Sequence, residues 1–123
     1  MSEEHTTSYY AASRNDLTTY PALDGDHQTD ICIIGGGFTG IACALTLAER
    51  GREVTVLEQN RISWGASGRN GGQLIHGLGG SRYLSNSLSQ DTLWKLHYRG
   101  NDIIRERVEK YAIDCDLKSG YIE

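Results

Sequence analysis

At 123 residues, with 38% hydrophobic and 23% charged side chains, the chain has the composition of one globular domain rather than a disordered or fibrous protein. Its net charge of −4 excludes the basic face that a nucleic acid or an anionic membrane surface would demand of a partner. No run approaches the roughly 20 apolar residues of a membrane helix, and MSEEHTTSYY carries acids where a signal peptide carries lysine or arginine, so a cytoplasmic protein is expected.

Residues 1–29 follow neither a 2- nor a 3.6-residue apolar period, and YPALDGDHQ is dense in turn formers, so this segment reads as an extended amino-terminal arm. Tyr9 and Tyr10 within it are expected to pack on the domain surface. Order begins at DICIIG, where the unbroken apolar run Ile31–Ile34 predicts a strand buried on both faces. IACALTLAERG then places Ile41, Ala44, Leu45, Leu47 and Ala48 at helical spacing, with Gly51 as the stop. EVTVLE, with Val54, Val56 and Leu57, reads as a second strand. Strand, glycine turn, helix and strand make a βαβ unit, whose crossover is expected to be right-handed.

Further along, Asp91 to about Tyr111 predicts a longer helix with Leu93, Leu96, Ile104, Val108 and Tyr111 on one stripe and Arg105, Glu106, Glu109 and Lys110 opposite. Ser87 and Gln90 have the spacing of a capping box at its start, with neighbouring serines competing for the role. Gly100 inside it costs about 1 kcal/mol against alanine, which points to a close packing contact or a kink. DLKSGYIE reads as the opening of another strand. The three cysteines, Cys32, Cys43 and Cys115, are odd in number and lack CxxC spacing, so reduced, partly buried thiols are expected. No metal site is expected.

Most of the 15 glycines fall between residues 35 and 80. Gly35, Gly37 and Gly40 satisfy G-x-G-x-x-G after a strand and into a helix, and Glu58 closes the next strand 18 residues past Gly40, near the ~20 expected. In that arrangement the first glycine makes the tight turn, the second admits a pyrophosphate to the backbone and the third lets helix and strand approach. Amides around Phe38 and Thr39 would face the phosphates at the positive end of the helix dipole. Glu58 would accept hydrogen bonds from an adenosine ribose and repel the extra phosphate of NADP. The motif alone leaves NAD and FAD equally open.

A nicotinamide-binding domain would continue from Glu58 into another helix and strand. Instead QNRISWGASGRNGGQLIHGLGG follows, too rich in glycine to hold a helix along its length. Such a segment suits close passage of backbone along an extended cofactor, with Ser67 able to donate a hydroxyl hydrogen bond. A flexible loop is the plainer reading. His76, just beyond, reads as a packing or solvent-facing residue.

Gly35-Gly36-Gly37-Phe38-Thr39-Gly40, then Ala44, Gly51, Val54 and Glu58, then GASGRNGGQL, resemble the start of the D-amino-acid-oxidase-like FAD-dependent oxidoreductases. TTSYYAAS and IIRERVEKYAIDCDL resemble the branch of that family that oxidises gamma-glutamylputrescine, with residues 21–30 and 75–102 the least alike. The resemblance implies an α/β fold with a Rossmann-like βαβ FAD-binding unit over 30–123, incomplete because the substrate domain is absent. It assigns the ADP half of FAD to Gly35, Gly37, Phe38, Thr39, Gly40, Glu58 and Gln59. It assigns the pyrophosphate and isoalloxazine side to Ser67, Arg69, Asn70, Gly71, Gly72, Gln73 and Leu74. Some relatives carry a flavin-bonding histidine near position 70; Asn70 cannot form that bond, which implies non-covalent FAD.

The implied reaction is oxidation of a primary amine, such as gamma-glutamylputrescine in putrescine catabolism, to an aldehyde with release of ammonia and hydrogen peroxide. No residue stands out as its acid or base. The chain is expected to be an amino-terminal fragment whose missing carboxy-terminal part completes the FAD site, so that alone it binds FAD poorly and oxidises no amine. A non-catalytic dinucleotide-binding module and an NAD-dependent dehydrogenase fragment are the alternatives.

Overall fold

In the computed structural model, the described residues are residue 5, residues 7–75 and residues 87–120. The chain divides into two units at the Gly71–Gly72 step.

In the first unit, helix α1 is a single turn, Tyr9–Ala12, capped by the Ser8 hydroxyl, which accepts the Ala11 N–H at 3.1 Å. The Tyr9 and Tyr10 rings meet edge to face at 5.8 Å, and both stay exposed. Strand β1, Ile31–Ile34, pairs in parallel with β2, Val54–Leu57, in the register Ile31 to Val54 through Ile34 to Leu57. Helix α2, Phe38–Ala48, connects them. It begins three residues earlier than the apolar spacing predicts, which brings Phe38, Thr39 and Gly40 into its first turn. It ends where expected. The N–H groups of Gly51 and Arg52 turn back onto the carbonyls of Ala48 and Leu47, and Gly51 takes the left-handed backbone (φ +76°) that this ending requires.

The expectation of a strand buried on both faces fails for β1. Ile31 and Ile33 are half-buried, whereas Cys32 and Ile34 are exposed, Ile34 to 88%. Side chains alternate along a strand, and Ile33 lies beneath Gly40 on the face that α2 covers. A continuous apolar run says that both faces are apolar; it does not say that both are covered. The cysteines depart from expectation in the same sense, since all three thiols are free but exposed.

In the second unit, helix α3 spans Gln90–Lys110. Its cap is Ser89, with extended backbone, whose hydroxyl accepts the Thr92 N–H at 3.2 Å. Gln90 is therefore the first helical residue and cannot serve as the far side of a box opened by Ser87. Leu93 and Asn101 are buried and Val108 is half-buried, but Leu96, Ile104 and Tyr111 are exposed, so only part of the expected stripe is covered. A Cβ at Gly100 would meet nothing within 4 Å among the described residues, so none of them makes the close contact expected there. Exposed pairs Lys95–Asp91 and Arg99–Glu106 decorate the helix. Residues 116–120 form no strand, and the rest of the strand expected there lies outside the described residues. No helix among the described residues is long and apolar enough to cross a membrane.

Candidate functional site

The first glycine cluster is shaped by two backbone demands. The Gly35 N–H donates to Leu57 O at 2.7 Å, extending the parallel ladder past β1, and Gly35 then turns with φ +105°. Across the turn, a Cβ on Gly40 would sit 1.9 Å from the Gly35 carbonyl oxygen, so only glycine lets the first turn of α2 lie against the strand end. The ladder of α2 opens with Ile41 N–H donating to Gly37 O at 2.9 Å, leaving the amides of Phe38, Thr39 and Gly40 ahead of it at the positive end of the helix. Phe38 and Thr39 are exposed.

The second cluster returns to this turn. Ser63 donates its N–H to Gly36 O at 2.9 Å, with Ser63 itself in the left-handed region at φ +61°. A single 3₁₀ turn, Ala66–Gly68, then carries Ser67 onto the start of α2, where its hydroxyl oxygen accepts the Phe38 N–H at 2.9 Å. Gly37 makes room for it: a Cβ there would stand 2.9 Å from Ser67 Oγ. Arg69 and Asn70 secure the loop. Arg69 donates from Nε and Nη2 to Trp64 O at 3.1 and 2.9 Å, and Asn70 donates from Nδ2 to Ser67 O at 2.7 Å.

Glu58 ties the end of β2 into the same turn. Its Oε2 accepts the Gly36 N–H at 2.7 Å and its Oε1 the Asn60 N–H at 2.9 Å. The Asn60 amide, and after it the Gly36 amide, hold the carboxyl below its ordinary value by stabilising the charged form. Gln59 beside it is exposed. Gly36, Asn60, Ser63 and Trp64 thus belong to the site although the motif reading passed over them. The unbroken run of three glycines was a signal for Gly36 in its middle, whose added Cβ would strike Ile62 Cδ1 at 2.6 Å.

Gly35, Gly37, Phe38, Thr39, Gly40, Glu58, Gln59, Ser67, Arg69, Asn70 and Gly71 all lie in the first unit. Gly72, Gln73 and Leu74 open the second, where Leu74 O accepts from Asn101 Nδ2 at 3.3 Å. His76, Gly77, Gly79 and Gly80 lie outside the described residues.

The first-unit arrangement suits a dinucleotide pyrophosphate. Backbone amides at a helix start favour an anion, and the glycines hold side chains away from them. Ser67 accepts one of these amides through its oxygen lone pair and keeps its own hydroxyl hydrogen to donate. The Glu58 carboxylate supplies acceptor capacity at the end of β2, where a ribose would lie. Among the described residues, no group of three His, Cys, Asp or Glu side chains could hold a metal.

Comparison with known proteins gives this geometry a context. A family model, FAD dependent oxidoreductase (DAO), matches residues 30–123. Gamma-glutamylputrescine oxidoreductase of Escherichia coli (strain K12) is 47% identical over 123 residues, covering 95% of this chain and 28% of that protein. Probable oxidoreductase OrdL of Haemophilus influenzae is 46% identical over 124 residues, covering 97% of this chain and again 28% of the relative. Mitochondrial glycerol-3-phosphate dehydrogenase of Saccharomyces cerevisiae is 36% identical over 98 residues, covering 80% of this chain and 14% of the relative. The chain therefore spans little more than a quarter of the length of the first two. No solved structure gives a significant match.

Proposed function

The chain belongs to the DAO family of FAD-dependent oxidoreductases, and from that premise we propose that it forms the cofactor cradle of an enzyme oxidising a primary amine such as gamma-glutamylputrescine. The products would be an aldehyde, ammonia and hydrogen peroxide. With the family's cofactor being FAD, the NAD-dependent reading left open by the glycine motif gives way.

The observation that carries the proposal is the convergence of the two glycine stretches at the start of α2, through Ser67 Oγ on Phe38 N–H and Gly36 O on Ser63 N–H. Both stretches face one short length of cofactor there. In this reading β1, α2 and β2 are a Rossmann-like unit. Gly35, Gly37, Phe38, Thr39 and Gly40 hold the pyrophosphate with the Ser67 hydroxyl, and Glu58 and Gln59 hold the adenosine ribose. Arg69, Asn70 and Gly71 are assigned to the flavin side and, on the family resemblance, so are Gly72, Gln73 and Leu74. Asn70 offers no imidazole, in keeping with non-covalent FAD. Bound FAD supplies the two-electron acceptor for C–H oxidation beside the amine and the route from those electrons to O₂. The chain's own residues bind and orient.

The substrate class rests on sequence likeness at a distance from the chemistry. Relatives named for gamma-glutamylputrescine and for glycerol 3-phosphate both match here, at 47% and 36% identity, which supports a shared cofactor region and favours the amine by degree. The division into an arm over 1–29 and a cofactor domain from residue 30, and a cytoplasmic location with reduced cysteines, are further parts of the proposal. The test is to express the longest reading frame that contains this chain, purify it with its flavin, and assay peroxide release. Peroxide with gamma-glutamylputrescine and none with glycerol 3-phosphate is expected; a yellow protein active only on glycerol 3-phosphate would reverse the substrate assignment.

A further inference from the structure

Arg69 lies in the stretch that family resemblance assigns to the cofactor, where a cation invites reading as a phosphate partner. Its geometry points elsewhere. Both Nε and Nη2 donate to one acceptor, the backbone oxygen of Trp64, at 3.1 and 2.9 Å. The guanidinium carbon lies 4.7 Å from the centre of the Trp64 ring, within cation–π range. Between these two residues the backbone closes on itself. Trp64 N–H donates to Arg61 O, Gly68 N–H to Gly65 O and Arg69 N–H to Ala66 O, at 3.0, 3.2 and 3.1 Å. Ser67 stands at the middle of the loop so formed, its carbonyl held by Asn70 and its hydroxyl on the Phe38 amide.

We infer that Arg69 is a positioning residue: by clamping Trp64 through its backbone carbonyl and its indole face, it fixes the loop that sets the Ser67 hydroxyl on the first amide of α2. The inference rests on the FAD reading of that cradle. It separates Arg69 from a charge partner of the cofactor, because a planar fork that donates twice to one carbonyl while lying over an indole is a task lysine cannot perform, whereas lysine serves well as a point charge for phosphate.

The experiment titrates the apo form of the same full-length protein with FAD, comparing wild type, Arg69→Ala, Arg69→Lys, Trp64→Ala and the Arg69→Ala/Trp64→Ala pair. The part of the indole emission that disappears in Trp64→Ala reports on Trp64. Arg69→Ala is expected to weaken FAD binding about tenfold. Arg69→Lys should be nearly as weak, with the loss persisting at about 0.5 M salt, where exposed charge pairs are screened. Trp64 emission should change in both Arg69 variants before FAD is added, and the double variant should lose less than the product of the single losses. Recovery of wild-type affinity in Arg69→Lys, independent single effects, or a loss that disappears with salt would each overturn the inference. Should Arg69→Ala fail to fold, the lysine variant's affinity and emission decide alone. Absence of FAD binding in the wild type would bring down the cradle itself; tight wild-type binding with an unaffected Arg69→Lys brings down only the role of Arg69.

Discussion

Ser67 Oγ lies 2.9 Å from the backbone nitrogen of Phe38, so a residue of the second glycine stretch sits on the opening amide of the helix made by the first. The residues are 29 apart in sequence, and the contact turns two separate glycine-rich turns into one surface. Removing the hydroxyl tests how much of the cradle depends on it. Ser67→Ala should weaken FAD binding about fivefold, the scale of one net hydrogen bond, with little change in thermal unfolding of the apo protein. Quenching of flavin fluorescence on titration provides the measurement.

Gly37 is the second position of this contact. A branched side chain there would start 2.9 Å from Ser67 Oγ and cover the backbone that the proposed pyrophosphate would approach. Gly37→Val is expected to purify without flavin, read as the ratio of visible to ultraviolet absorbance. Undiminished flavin content would mean that the pyrophosphate does not pass this turn.

Gly40 tests the scaffold rather than the ligand surface. Its added Cβ would meet the Gly35 carbonyl oxygen at 1.9 Å, and backbone cannot rotate away as a side-chain tip can. Gly40→Ala should cost about 3 kcal/mol of stability, the upper end of ordinary overpacking, visible as a lower urea midpoint with or without FAD.

Glu58 gives a pH dependence. Its carboxyl is held below the ordinary 4.5 by the amides of Asn60 and Gly36, so the folded state prefers the charged form more than the unfolded chain does. The stability it contributes is therefore fully present above the ordinary value and is lost as pH falls through the lowered one. Wild type and Glu58→Gln, unfolded in urea from about pH 7 to about pH 3, should differ by a constant amount near neutrality and converge in the acid range. A gap that persists unchanged to the acid end would mean that charge on Glu58 does not hold the turn.

The sequence was a good guide where local chemistry decides structure. Gly35 and Gly40 mark a turn that backbone sterics reserve for glycine, Gly51 ends α2, and the apolar runs around them give the parallel pair β1 and β2. It was a poor guide where coverage decides. Nothing in Ile31–Ile34 distinguishes Ile33, under α2, from the exposed Ile34, and nothing in the stripe of α3 distinguishes buried Leu93 from exposed Leu96. Ser89 outcompeted Ser87 as the cap because extended backbone at the last residue before the helix, not spacing alone, puts a hydroxyl on the Thr92 amide. In the site, residue types announced a ligand for the backbone, but the seating of Ser67 on the Phe38 amide depends on a fold-back of the 59–70 segment that no local pattern encodes.

The central claim is that the two glycine stretches grip a single FAD together, and amide hydrogen exchange on the apo protein titrated with FAD measures it most directly. Residues 36–40 and 66–70 should gain protection at the same midpoint, with NAD producing neither change. Protection confined to 36–40, with 66–70 exchanging as before, would contradict it.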